Sequence, residues 1–157
     1  MPCGSLRRRR WGSACPTFTS SVAAERAVGI RIHRAAERGG VGRVVRGEHE
    51  GLGLLKGSVV PMQGVIPAEL KIPHIGWNAL KFVKKSPLFR FINEGDCVYF
   101  VHSYYATDCS DSVIATAEYG AELTAAVESG NIKGCQFHPE KSGYVGLNIL
   151  RAFCQGG

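Results

Sequence analysis

The sequence has no lysine before residue 56 and no acidic residue before Glu25. Residues 1–47 hold ten arginines against only Glu25 and Glu37, a formal charge of +8, while residues 48–157 carry −2. The +6 of the whole chain therefore belongs to its first third, and the net charge argues for no nucleic-acid surface on the body. Long apolar runs are also missing, and none approaches the roughly 18–20 residues of a membrane span. The six cysteines, at 3, 15, 97, 109, 135 and 154, form no C-x-x-C pair. Neither a zinc site nor a redox motif is signalled, and no cofactor is implied. Their spacing does not suit a disulfide framework, so a reducing, cytoplasmic setting is the expectation.

The 157 residues suffice for one domain with a core and are too few for two ordinary ones. Two unlike segments share that length. Residues 1–47 show neither sustained alternation nor a good helical stripe. Within them "VAAERAVGIRIHRAAERG" has the composition of a modest helix. The acid-free stretch Met1–Ser21, with "RRRR" at 7–10, fits a disordered arm, a transit peptide or a non-specific phosphate-binding tail. Disorder or poor packing is the expectation.

From Glu48 the texture changes. Ser58–Met62 reads as a strand, "HIGWNALKF" as another, and "SPLFRFI" as one or two helical turns opened by Pro87. "CVYFVHSYYA" is β-branched and aromatic, hence a strong strand. "SVIATAEYG" predicts one more, and "LTAAVESGNIKGCQF" two around a Ser-Gly-Asn turn. The closing "KSGYVGLNILRAFCQ" puts Tyr144, Leu147, Leu150 and Phe153 on one helical face. Strands with a closing helix predict a mixed sheet in an α/β or α+β body.

The chemistry lies in "GCQFHPEKSG", residues 134–143. His138 and Glu140 are two apart, so in an extended chain they point the same way. Pro139 biases His138 towards an extended backbone. A carboxylate beside a histidine takes the Nδ1 proton, fixes the tautomer and leaves Nε2 as a base. That is two-thirds of a nucleophile–histidine–acid triad. On spacing alone, a histidine near a glutamate at a strand end is more often plain surface structure.

The segment resembles the closing signature of class I glutamine amidotransferases. With "EGLGLLKG", "PHIGWNAL", "YFVHSYYA", "ATAEYG" and "GLNIL", in that order, residues 48–157 are similar to the glutaminase subunit of imidazole glycerol phosphate synthase. The resemblance implies an α/β fold: a partial amidotransferase-like mixed sheet with flanking helices, without the N-terminal strands and the nucleophile elbow. It implies hydrolysis of glutamine to glutamate and ammonia, passed to a cyclase subunit as heterodimer partner in histidine synthesis. His138 matches the general base and Glu140 its orienting acid. The backbone near Ser103 and Tyr104 matches the part that holds the amino-acid end of glutamine. Trp77, Asn78 and Lys141 match positions facing the cyclase. His74 and His102 fall in matching blocks as shaping residues, whereas His33 and His49 read as loop residues.

The family's nucleophile sits in a G-x-C-x-G elbow, and the corresponding stretch here is "AVGIRIHR", residues 27–34. Gly29 fits, but Arg31 takes the cysteine's place and His33 that of the second glycine. A guanidinium is no nucleophile. Cys15 is followed by Pro16, which has no N–H for an oxyanion. Cys97, Cys109, Cys135 and Cys154 belong to strand or helix patterns. The expectation is a chain that releases no ammonia, with residues 1–47 frameshifted or misassigned sequence joined to the C-terminal half of an amidotransferase domain at 48–157. Two alternatives stand beside it: a non-catalytic remnant that only binds the cyclase, and another class I glutamine amidotransferase.

Overall fold

The computed structural model describes residues 54–155 throughout and, within the first third, the main chain of Thr17–Thr19 and Gly29–Ile32. Among the described residues the strands are β1 (Thr17–Thr19), β2 (Gly29–Ile32), β3 (Lys56–Pro61), β4 (His74–Ala79), β5 (Lys81–Phe82), β6 (Cys97–His102), β7 (Tyr104–Thr107), β8 (Val113–Glu118), β9 (Glu122–Ser129) and β10 (Ile132–Cys135). One α-helix, α1 (Gly143–Cys154), follows them. They form a five-stranded sheet in the order β1-β10-β9-β8-β5, a three-stranded sheet β2-β3-β7 and a two-stranded sheet β4-β6. β1 runs parallel to β10, and β2 parallel to β3; the other pairs are antiparallel. The larger sheets are therefore mixed, as expected.

Two turns join β8, β9 and β10. Gly130 (φ +58°) starts the β9–β10 reversal between Ser129 and Ile132, the expected Ser-Gly-Asn turn. Gly120 (φ +70°) turns β8 into β9 and packs so closely that an added Cβ would come within 2.5 Å of Pro67 and Leu70. The main core lies where α1 and the short 3-10 turn Pro87–Phe89 cover the large sheet. Leu80, Leu88, Val98, Phe100, Phe137 and Ile149 are at most 1% exposed there. Burial of each such side chain contributes about 1.5–3 kcal/mol.

The structure departs from the sequence reading at four places. "CVYFVHSYYA" is two strands, because the chain bends at Ser103 and enters a different sheet. The Ser103 carbonyl accepts from Met62 N–H (3.0 Å), which draws β7 onto β3. "HIGWNALKF" divides likewise at Leu80, whose backbone N–H and C=O bond Asp96 and Gly95. The helix expected over residues 22–39 is not formed at Gly29–Ile32, which is strand. Finally, α1 buries Gly146, Ile149 and Ala152, while Tyr144 and Leu147 stay 77% and 60% exposed. Its rotation follows from Gly146: a Cβ there would lie 1.9 Å from the Pro139 carbonyl oxygen, so only glycine lets the helix sit against that turn. The arginine run at 7–10, Cys3, Cys15, His33 and His49 lie outside the described residues.

Candidate active site

β10 ends at Cys135, and Phe137, fully buried, anchors the chain before it turns. His138 then caps a 3-10 turn, Pro139–Lys141, with an extended backbone (φ −99°, ψ 98°), the conformation favoured before proline. Three bonds hold it. Its N–H donates to the Tyr99 carbonyl (2.9 Å), and its own carbonyl accepts from the Ser142 hydroxyl (2.6 Å) and Lys141 N–H (3.0 Å). The same Ser142 Oγ accepts from Tyr99 N–H (3.0 Å). Ser142, 1% exposed, thus ties the turn to β6 through one hydroxyl.

The turn places the Glu140 carboxylate beside the ring, with His138 Nδ1 2.9 Å from Oε1. The carboxylate accepts only, so Nδ1 carries a proton, and Nε2 is the ring nitrogen left on the side away from the acid. The histidine side chain is 14% exposed and the glutamate 56%, so the acid stands at the rim and the ring behind it. Burial pushes the Glu140 carboxyl up, but its own backbone N–H, His138 and Lys141 together hold it below the ordinary value. The pair is therefore an imidazole steered by an ionised acid. Ser103 and Tyr104 lie half-buried at the bend between β6 and β7.

No described cysteine offers this ring an activated thiol. Cys135 is 1% exposed, directs its Sγ at the Phe137 carbonyl (3.4 Å), and has its pKa driven far up by burial and by Glu140. Burial raises Cys109 too. Cys97 is exposed at the start of β6, and Cys154 at the far end of α1. Arg31 lies in β2 opposite Ser58 of β3; its side chain is outside the described residues. No group of three His, Cys, Asp or Glu that could hold a metal occurs among the described residues.

Trp77 stands 57% exposed on β4, edge-on to Tyr99 at 6.0 Å between centroids. A Cβ on Gly143 would lie 3.8 Å from its ring, so the indole sits beside the start of α1, two residues past the exposed Lys141. Strand alternation puts Ile75, Trp77 and Ala79 on one face with their partners Val101, Tyr99 and Cys97, an apolar row. Asn78 points the other way: its amide donates to the Glu118 carbonyl (2.6 Å) and its Oδ1 accepts from Ala79 N–H (2.8 Å). It lines an open cavity of about 610 Å³ with Lys81, Glu94, Thr116 and Glu122, which does not include His138 or Glu140. The sequence reading missed Ser142 and Gly146. Their only signal was small residues between a charged turn and a helix.

Comparison with known proteins adds an independent line. Residues 35–155 match the family model for glutamine amidotransferase class-I. The chain is 50% identical over 109 residues to imidazole glycerol phosphate synthase subunit HisH of Lactococcus lactis, a match covering 69% of this chain and 52% of that protein. It is 51% identical over 107 residues to the same subunit of a Geobacillus species, covering 66% and 50%. The chain thus spans about half the length of the relatives it matches. Among solved structures, a glutamine amidotransferase from Thermotoga maritima overlaps 64% of this chain and 40% of its own at a TM-score of 0.45 and 20% identity.

Proposed function

The chain belongs to the class I glutamine amidotransferases, and from that premise we propose that it is the glutaminase subunit of an imidazole glycerol phosphate synthase. The observation that carries this reading is the His138–Glu140 contact at 2.9 Å in the family's closing signature. His138 serves as general base and Glu140 as the acid that orients it. The backbone around Ser103 and Tyr104 holds the amino-acid end of glutamine. In the complete reaction a cysteine thiol gives its proton to His138 and attacks the carboxamide carbon. The imidazolium returns that proton to the departing ammonia, and water then cleaves the thioester. Glu140 stabilises the imidazolium in between.

The chain as written is inactive in this reading, because Arg31 stands where the family places its thiol. Docking on the cyclase survives, and the heterodimer forms in the cytoplasm. Support for docking comes from the apolar row of Ile75, Trp77, Tyr99 and Val101 beside Lys141. Exposed contiguous apolar area of this kind marks interaction surfaces. Asn78, bonded to Glu118 on the other face, contributes by holding the edge of β4 rather than by contact. A second reading follows from the same facts: a non-catalytic chain whose only role is to bind the cyclase.

Co-purification with a cyclase subunit, followed by assay for glutamate, separates the readings. The expected result is a complex that releases no glutamate from glutamine, and loss of the complex on Trp77→Ala. A complex that binds glutamine favours the glutaminase descent; one that ignores it favours the binding-only chain. Absence of any complex overturns both.

A further inference from the structure

Two buried histidines take no part in the dyad. His74, first residue of β4, is 3% exposed, and His102, last residue of β6, is 6% exposed. They are directly opposed across the β4–β6 ladder. His74 Nδ1 lies 3.0 Å from His102 Nε2, and His102 Nδ1 lies 2.9 Å from the Tyr104 carbonyl oxygen. A carbonyl only accepts, so the proton of His102 is on Nδ1 and its Nε2 is a lone pair. The proton between the rings then belongs to His74 Nδ1. The hydrogen bonds therefore run one way, from His74 through His102 to Tyr104, with both rings neutral. Burial disfavours protonation of each ring, and the proximity of His74 and His138 adds to this at His102, where the Tyr104 carbonyl opposes it only in part.

The rings are also held mechanically. His74 stacks on Tyr119 (4.0 Å, 18°) and on Phe100 (5.0 Å, 20°). Tyr119 is fixed in turn by its hydroxyl, which donates to the Lys71 carbonyl (3.0 Å). What this assembly reaches is the Tyr104 carbonyl. The plane before Tyr104 is tied through the Ser103 carbonyl to Met62 N–H, and the plane after it is tied through the Tyr104 carbonyl to His102. Because each peptide unit is planar, holding the unit on either side of Tyr104 fixes the two torsions of Tyr104 between them, and the histidines supply the hold on its carbonyl. Filling space alone would be served by apolar side chains, without the desolvation cost of two imidazoles.

We propose that His74 and His102 are positioning residues for the substrate: the pair holds the Tyr104 carbonyl, and with the Ser103–Met62 bond it fixes the torsions of Tyr104, so that the Ser103–Tyr104 backbone receives the amino-acid end of glutamine. The proposal rests on the glutamine-site reading given under Proposed function. It makes neither histidine catalytic, since both act through the backbone they hold.

The test compares glutamine affinity, by titration calorimetry, for the unaltered chain, His102→Leu, His102→Asn and His74→Leu, with melting temperatures measured alongside. Asparagine places an amide N–H where the imidazole Nδ1–H stands, so His102→Asn keeps the donor to Tyr104. Loss of that donor in His102→Leu weakens glutamine binding by about tenfold or more, whereas His102→Asn stays within about threefold of the unaltered chain. His74→Leu falls between them. A stability role alone would lower the melting temperature without separating Leu from Asn in affinity. Equal affinity across the variants, or Asn as weak as Leu, overturns the proposal while the glutamine site stands. No glutamine binding by the unaltered chain overturns the glutamine-site reading and the proposal with it. Long-range proton–nitrogen NMR of the unaltered chain is independent of variant folding: both rings must be neutral with the proton on Nδ1, and a His102 ring protonated on Nε2 contradicts the proposal.

Discussion

At the scale of single residues, Ser142 carries more than its size suggests. Its hydroxyl serves the His138 carbonyl and the Tyr99 N–H together, in a site 1% exposed. Ser142→Ala takes the hydroxyl from the Tyr99 N–H and leaves the His138 carbonyl with Lys141 N–H alone, and should destabilise the fold by about 1–3 kcal/mol, read from denaturant unfolding. The pH dependence of stability also turns on one residue. His102 is pushed down from an ordinary 6.5 to about 4, mainly by burial. The unfolded chain therefore binds the proton first, so stability is complete above pH 6.5 and falls as the pH drops towards 4. A shift of this size corresponds to about 3 kcal/mol over that window, with His74 acting in the same direction. Urea unfolding between pH 7 and 4 should show this loss, and His102→Asn should flatten it. A slope unchanged by that substitution would exclude His102 as its source. The His138–Glu140 pair was singled out in sequence through the resemblance rather than its spacing: Pro139 does leave His138 extended, but Glu140 reaches the ring from a 3-10 turn and not from an extended chain. Ser142 was not singled out, since one of its partners, Tyr99, lies on β6, 43 residues away in the chain.

At the scale of elements, α1 and the turn before it behave as one unit. Gly146 allows contact with the Pro139 carbonyl that no other residue would permit. Gly146→Ala should shift the Pro139–Lys141 turn and destabilise by about 1–3 kcal/mol, despite alanine's better helix propensity. Thermal melts and the amide shift of His138 would show it; a stabilised protein would refute the packing argument. Strand positions were readable from β-branched and aromatic runs, and the β9–β10 turn from its Ser-Gly-Asn punctuation, whereas Gly120 was read into a strand. Breaks at Ser103 and Leu80 were not readable, because each is imposed by a backbone bond to another element: Met62 in one case, Gly95 and Asp96 in the other. The rotation of α1 escaped for a similar reason. Periodicity alone favoured Tyr144 and Leu147, whereas the small residue Gly146 decides which face can approach the turn. Trp77→Ala tests the β4–β6 face: the side chain is 57% exposed, so melting should change little while cyclase binding weakens by about tenfold or more.

At the scale of the whole molecule, a mixed-sheet body brings His138 and Glu140 together, and in the function proposed above Arg31 stands where the family places its thiol. The family could be recognised from sequence because its blocks keep their order over residues 48–157, and the family model reaches further, to residue 35. Membership did not convey how β1 and β2 pair: β2 lies parallel to β3, which places Arg31 on a strand beside the body rather than in a separate arm. The most direct measurement is treatment of the chain, with and without a cyclase subunit, with a glutamine-mimicking alkylator, followed by intact mass. No adduct is the predicted result. An adduct on a cysteine that disappears in His138→Ala would contradict the account.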